Sequence, residues 1–166
     1  MLLVVDNIAA AFTAIDPTNA AIYAANAAAY QDELRALDAE INALFANIAP
    51  EQRIIVTNHD FLAYFAAHYD IAIIGTVIPG VSTLAEPSPR DLANLVQVIR
   101  ETGARVIVAE VSDDNRLAAG VAAEVGTDVQ VITIYSEALS AADGAAATYL
   151  DYLRYNAEVI ATALDE

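Results

Sequence analysis

The chain has 166 residues, of which 57% are hydrophobic and 18% are charged, so it is long enough for one packed domain and too apolar for a disordered chain. Acidic residues number 23 against seven basic ones, giving a formal net charge of −16. This charge repels phosphate groups, so binding to nucleic acid or to an anionic membrane surface is not expected. The absence of cysteine excludes disulfides, thiolate metal sites and thiol catalysis.

The first fifty residues predict two helices separated by one break. A first helix is predicted from Leu2 to Ile15, and Asp16 followed by Pro17 suits the start of a second one, as N-cap and first-turn residue. No helix-breaking residue follows until Asn47. Apolar residues recur along this segment at spacings of three to five: Ile22, Ala25, Ala29, Leu34, Leu37, Ile41, Leu44 and Ile48. A helix of about 30 residues is roughly 45 Å long, which is typical of a helix that bridges two lobes; a coiled-coil arm is the alternative, but sustained heptads are absent.

From about residue 52, short apolar runs alternate with helical segments. Four runs rich in β-branched residues predict buried parallel strands: residues 53–57, 71–77, 105–109 and 129–134. Helices are predicted to fill the remaining segments: residues 58–68, 88–103, 112–126 and about 145–164. Ser88 and Ser112 are the predicted N-caps, with Asp91 completing a capping box after Ser88 and Gly103 ending that helix.

This alternation predicts an α/β fold, with a four-stranded parallel Rossmann-like sheet carrying helices on both faces and a long interdomain helix preceding it. The domain division expected from the sequence is a helical segment at residues 1–50 and an α/β lobe at residues 51–166. The turn after the first strand, residues 57–60, contains no glycine. A dinucleotide site is therefore not expected.

Ligands of open parallel sheets bind beyond the carboxyl ends of the strands. The sequence brings His59, Glu86, Glu110 and Glu137 to those ends. His59 is predicted at the first turn of a helix, which favours the neutral imidazole that a metal ion requires. Imidazole and carboxylate together suit a divalent first-row metal. The alternatives are a histidine that caps backbone groups and, for Glu137, a solvated loop acid.

The remaining candidates have supporting or surface roles. Glu86 and Glu110 are expected to order loops or to hold metal ligands in place, and Asp60 to accept hydrogen bonds from helix amides. His68 is expected on the surface. Enzyme activity is not predicted, because the chain has no cysteine, no Gly-x-Ser-x-Gly elbow and no His-Glu-x-x-His motif.

Four ordered segments resemble one protein family: Val56 to Phe65 with His59-Asp60, Ala85 to Leu92 with Glu86-Pro87-Ser88-Pro89, Val108 to Val111 with Glu110, and Tyr149 to Asn156. They are similar to motifs of the zinc- and manganese-binding solute-binding proteins of ABC importers, the cluster A-I group, which is ZnuA/TroA-like and includes adhesin lipoproteins. Asp16-Pro17 and the helix after it resemble the interdomain helix of that family. The resemblance extends over essentially the whole chain.

The resemblance implies two α/β lobes joined by one helix, with zinc or manganese held between them. It matches His59 and Glu137 to the metal ligands of the second lobe, although Glu137 stands where the family usually has Asp. The first lobe, which would supply two further His ligands, has no counterpart here. The isolated lobe is therefore expected to bind metal weakly or not at all.

The resemblance also implies partners and a location. The expected partners are the missing first lobe, an ABC-transporter permease and, through the long helix with its exposed apolar stripe, a second copy of the chain in a homodimer or domain swap. The parent protein would be extracytoplasmic, in the periplasm or as a lipoprotein, whereas residues 1–5 lack the basic region of a signal peptide. The alternative function is a structural or interaction domain that has lost metal binding.

Overall fold

The structure is a computed structural model that describes residues 1–79, 87–112, 114–126 and 128–166. These residues form six α-helices and four β-strands, in the order α1 (Leu2–Ile15), α2 (Ala20–Ala46), β1 (Ile54–Thr57), α3 (Ala63–His68), β2 (Ala72–Thr76), α4 (Pro89–Thr102), β3 (Val106–Glu110), α5 (Arg116–Val125), β4 (Gln130–Ile134) and α6 (Tyr149–Asp165). Short 3₁₀ turns lie at Pro17–Asn19 and Pro50–Gln52. The chain divides into two compact units, Met1–Asn42 and Ala43–Glu166.

The first unit contains α1 and most of α2. The predicted helix from Leu2 to Ile15 is confirmed. After it, the 3₁₀ turn at Pro17–Asn19 delays the start of α2 to Ala20. The Asp16 carboxylate accepts hydrogen bonds from the side chains of Asn19 (2.6 Å) and Tyr23 (2.9 Å). These hydrogen bonds hold the pKa of Asp16 below its ordinary value and join the end of α1 to the first turns of α2.

The long second helix is present, with 27 residues in α2. The predicted apolar stripe is buried only along its later part, at Leu34, Leu37 and Ile41, whereas Ile22 is 55% exposed. Most apolar side chains of α1 are also exposed: Leu2, Leu3, Val4, Ile8, Phe12 and Ile15. The first unit therefore exposes several large apolar side chains along α1.

The predicted parallel sheet is confirmed, with the strand order β2-β1-β3-β4. Each strand begins and ends within one residue of the predicted range, or inside it. The pairing of β1 with β3 and of β3 with β4 is parallel throughout. All five residues of β3 are buried, as expected for an inner strand of a sheet covered on both faces.

Successive side chains of the inner strands point to opposite faces of the sheet. Val56 and Ile107 belong to one buried cluster with Leu95, Val96 and Ile99 of α4. Helix α6 contacts β3 and β4. In the order β2-β1-β3-β4, the strand that follows β1 lies on one side of the β1–β3 pair, and the strand that follows β3 lies on the other side. With right-handed crossovers, this reversal places α3 and α4 on opposite faces and opens a crevice between the ends of β1 and β3.

The two predicted N-cap serines differ in whether the local sequence is sufficient to locate the start of a helix. The capping box of α4 is confirmed, with Asp91 N donating to the Ser88 hydroxyl and Gly103 following the helix at φ 72°. Ser112, in contrast, does not cap α5, because that helix begins at Arg116 with Asn115 as its N-cap. Ser112 and Asn115 instead lie in turns between β3 and α5.

The predicted start of α3 is also too early. Asn58 still belongs to the ladder of the sheet, because its amide donates to Val108 O (2.8 Å) and its carbonyl accepts from Ile78 N (2.8 Å). A residue held in this way has no freedom to turn into a helix. Helix α3 therefore begins at Ala63 and has only six residues.

The two serines provide a test of the capping assignment. Replacing Ser88 with Ala removes the acceptor for the Asp91 amide, and we expect a loss of about 1 kcal/mol in the free energy of unfolding. The matched change Ser112→Ala removes an exposed hydroxyl outside any helix, and we expect less than about 0.5 kcal/mol. Urea unfolding followed by circular dichroism measures both. Equal losses for the two variants would contradict the assignment.

Candidate metal site

His59 and Glu110 lie at the crevice between the ends of β1 and β3. His59 follows β1 by two residues, and Glu110 is the last residue of β3. Backbone hydrogen bonds fix both positions: Asn58 N donates to Val108 O, and Val111 N donates to Ile134 O (3.0 Å). Because the ladder of hydrogen bonds extends to Asn58, next to His59, and to Val111, next to Glu110, the backbone at both residues is anchored to the sheet.

The two side chains form a buried pair. His59 Nε2 is in direct contact with Glu110 Oε2, and the residues are only 4% and 2% exposed. A carboxylate oxygen can only accept, so in the neutral imidazole this contact favours the tautomer with the proton on Nε2 and the lone pair on Nδ1. His59 Nδ1 is buried and has no hydrogen-bond partner among the described residues. An unsatisfied buried nitrogen of this kind is costly unless a ligand uses it.

The arrangement matches the way proteins prepare a histidine for a metal ion. A metal-binding imidazole commonly donates its second ring nitrogen to a carboxylate, which fixes the tautomer and the ring orientation. Glu110 occupies that position on Nε2 of His59. The ring of Phe61 packs against the imidazole at 4.9 Å between centroids and restricts its rotation further. Nδ1 is therefore the ring atom of His59 that is available to a ligand.

Glu137 lies beyond the end of β4 and is exposed. Its carboxylate makes no hydrogen bond with a described residue. Within residues 1–79, 87–112, 114–126 and 128–166, no group of three or more His, Asp or Glu side chains is close enough to hold a metal ion. The structure thus brings His59 and Glu110 together but does not add Glu137 to them. Glu86 lies outside the described residues.

The backbone before Glu137 is held by α6. Asn156 Nδ2 donates to Tyr135 O (2.7 Å), and Tyr135 N donates to Asn156 Oδ1 (3.0 Å). The Tyr152 hydroxyl donates to Ser136 O (3.2 Å). Burial raises the pKa of this hydroxyl, and the nearby Tyr149 and Glu110 raise it further. Tyr152 therefore lies within electrostatic reach of the carboxylate that contacts His59.

Two predicted positions differ from their expected environments. His59 is not in the first turn of α3, because that helix begins four residues later. The polar group in contact with its ring is the Glu110 carboxylate and not a helix terminus. Asp60 is exposed and makes no hydrogen bond with a described residue, so it does not accept from helix amides. His68 is the exposed last residue of α3.

Sequence patterns alone do not single out two polar residues of α6. Tyr152 is one of three tyrosines whose spacing indicates packing, and Asn156 stands out only as part of a motif. The usable signal is Asn156, because it is followed by the apolar Ala157, Ile160 and Ala161 on the buried side of the helix. A polar residue on such a side requires hydrogen-bond partners.

No helix in the described part of the chain is both long and apolar enough to cross a membrane. Among known proteins, the chain is 29% identical over 164 residues to the manganese-binding lipoprotein MntA of Bacillus subtilis, covering 96% of this chain and 53% of that protein. It is also 29% identical over 122 residues to the zinc-binding protein TroA of Treponema pallidum, covering 71% and 39%. These relatives are named as metal-binding proteins, and others as metal ABC transporter substrate-binding lipoproteins.

Solved structures agree with the fold. A manganese-bound mutant of a periplasmic metal-binding protein from Candidatus Liberibacter asiaticus superposes with a TM-score of 0.86 at 28% identity, covering 98% of this chain and 59% of that chain. The cadmium-bound form of that protein gives 0.83 at 27% identity, covering 98% and 60%.

The chain spans about half the length of the curated relatives it matches, 49–53% for the first three. The family described as "Zinc-uptake complex component A periplasmic" (ZnuA) matches residues 1–163. Because this match includes both helical segments and the whole sheet, the chain belongs to the ZnuA family.

Proposed function

We propose that this chain is the metal-binding α/β lobe, with its leading helices, of a substrate-binding protein that captures zinc or manganese for an ABC importer. One observation carries the proposal: His59 is buried at the crevice between β1 and β3, Glu110 contacts its Nε2, and its Nδ1 has no partner among the described residues. The names of the relatives support the same class of cargo.

Each candidate residue has a distinct role in this proposal. His59 binds the metal ion through Nδ1. Glu110 keeps the proton on Nε2 and holds the ring. Glu137, from the end of β4, supplies a carboxylate oxygen, for which zinc and manganese both have affinity. Glu86 supports the loop that enters α4. We assign no catalytic role to any of these residues.

The site is incomplete within this chain. Tight zinc sites use three or four protein ligands, whereas His59 and Glu137 supply two. We propose that a first lobe adds the remaining ligands, that a permease receives the metal ion, and that the assembled protein works outside the cytoplasm. The net charge of −16 attracts divalent cations to the surface but does not select among them.

A second candidate function has one observation in its favour. The described residues contain no group of three or more metal-binding side chains, and Glu137 is exposed. A structural or interaction domain that has lost metal binding would have the same fold. The two functions differ in whether His59 binds a metal ion in preference to the acidic surface.

A titration with manganese, followed by NMR of the ¹⁵N-labelled chain, tests the proposal. The paramagnetic ion broadens resonances close to it, so weak binding is detectable. We expect the His59 ring and the Glu137 amide to broaden first, with a dissociation constant of about 1 mM or somewhat lower, equivalent to about −4 kcal/mol. His59→Ala should remove this localised broadening.

His68→Ala is the matched control, since it removes the other histidine, which is exposed and at the far end of α3. It should leave the broadening at residue 59 unchanged. Broadening spread evenly over the acidic surface in the unmodified chain, with no preference for residues 59 and 137, would instead support the structural or interaction domain.

We further propose that the apolar face of α1 contacts the first lobe and, in its absence, a second copy of this chain. Val4 and Ile8 are 49% and 51% exposed and lie one turn apart. Analytical ultracentrifugation of the isolated chain should therefore show concentration-dependent dimerisation. The double change Val4→Glu and Ile8→Glu should shift the chain to monomer, while Tyr64→Glu, at an exposed residue of α3, should not. A monomer at all concentrations would contradict this surface assignment.

A further inference from the structure

The conformation of the chain before Glu137 is set by α6. We propose that Tyr152 and Asn156 are positioning residues for metal binding, because they hold the backbone of Tyr135 and Ser136, the two residues that precede Glu137. The inference rests on the proposed role of Glu137 as a metal ligand. It assigns a function to the polar face of α6 that packing alone does not require.

Asn156 binds the backbone of Tyr135 at the outer edge of the sheet. The Ile134 carbonyl accepts from Val111 N, on the side of β3, so the backbone groups of the next residue, Tyr135, point away from β3. On that outer side, the side-chain amide of Asn156 accepts from Tyr135 N and donates to Tyr135 O. Asn156 is only 3% exposed, so these hydrogen bonds offset the cost of burying its amide. They also fix the direction in which the chain leaves β4.

Tyr152 holds the next peptide group. It lies four residues before Asn156 and therefore on the same face of α6. Its hydroxyl donates to Ser136 O, so the two side chains contact Tyr135 and Ser136 in succession. One face of α6 thus holds two successive residues of the turn after β4.

This arrangement matters because Glu137 has no support of its own. Its side chain is exposed and makes no hydrogen bond with a described residue. It also has one more methylene than Asp, which increases the rotamer entropy lost on binding. A ligand whose backbone is fixed in advance loses less entropy when it binds than one on a mobile turn. Holding residues 135 and 136 therefore raises the affinity of Glu137 for the metal ion.

A purely structural role, in which these contacts only attach β4 to α6, is the competing explanation. The chain provides a matched control at the other end of the same strand and helix. Gln130 Nε2 donates to Ala163 O (3.1 Å), so it also joins β4 to α6, but at the first residue of β4 and far from the strand's carboxyl end. Removing that hydrogen bond affects the attachment and not the turn before Glu137.

The experiment compares three variants of the full chain, Tyr152→Phe, Asn156→Leu and Gln130→Met, in the manganese titration and in urea unfolding. Tyr152→Phe and Asn156→Leu should each raise the dissociation constant about three- to tenfold, as expected for the loss of one or two hydrogen bonds. They should also lower the ¹⁵N order parameter of Glu137, measured without metal. Gln130→Met should reduce stability without changing either quantity.

The results separate this inference from the proposed function. Glu137→Gln should weaken manganese binding in the otherwise unmodified chain; if it does not, Glu137 is not a ligand and both ideas are rejected. If Glu137→Gln weakens binding while Tyr152→Phe changes neither the dissociation constant nor the order parameter, only the positioning role is overturned. An equal rise in the dissociation constant for Gln130→Met would also overturn it.

Discussion

The winding of the sheet changes direction between β1 and β3, and this change creates the space in which His59 meets Glu110. The loops leaving the two strands run to opposite sides, so the carboxyl ends of neighbouring strands are left uncovered by their own crossovers. Inner strands of a covered sheet are almost wholly apolar, and here a glutamate ends β3 and a histidine follows β1 by two residues. The position of each polar side chain in the site follows from this single feature of the topology.

Within that space, burial determines the chemistry. A carboxylate and an imidazole at the surface would form a weak and screened pair. At 4% and 2% exposure, each side chain needs the other, because an isolated charge there would be strongly disfavoured. The pair therefore orients the imidazole in the absence of any ligand, and the contact on Nε2 leaves Nδ1 as the available ring atom. Membership of the ZnuA family is consistent with this preparation.

The sequence predicted the fold well because its signals are local. β-branched runs define the strands, Ser88 with Asp91 marks the start of α4, and Gly103 marks its end. The site was only partly predictable. His59 and Glu110 could be placed at one edge, but their direct contact depends on β1 and β3 being neighbours, which no local pattern encodes. Ser112 failed as a cap for a related reason: the turn out of a buried strand, and not the nearest serine, determines where α5 begins.

The side-chain amide of Asn156 has a consequence for the solubility of the protein. Strand β4 lies at the edge of the sheet, where unpaired backbone groups invite strands from other molecules. At Tyr135 those groups are already bonded to Asn156, so an incoming strand finds no donor or acceptor at that point. The same side chain thus blocks intermolecular β-pairing at the end of the edge strand.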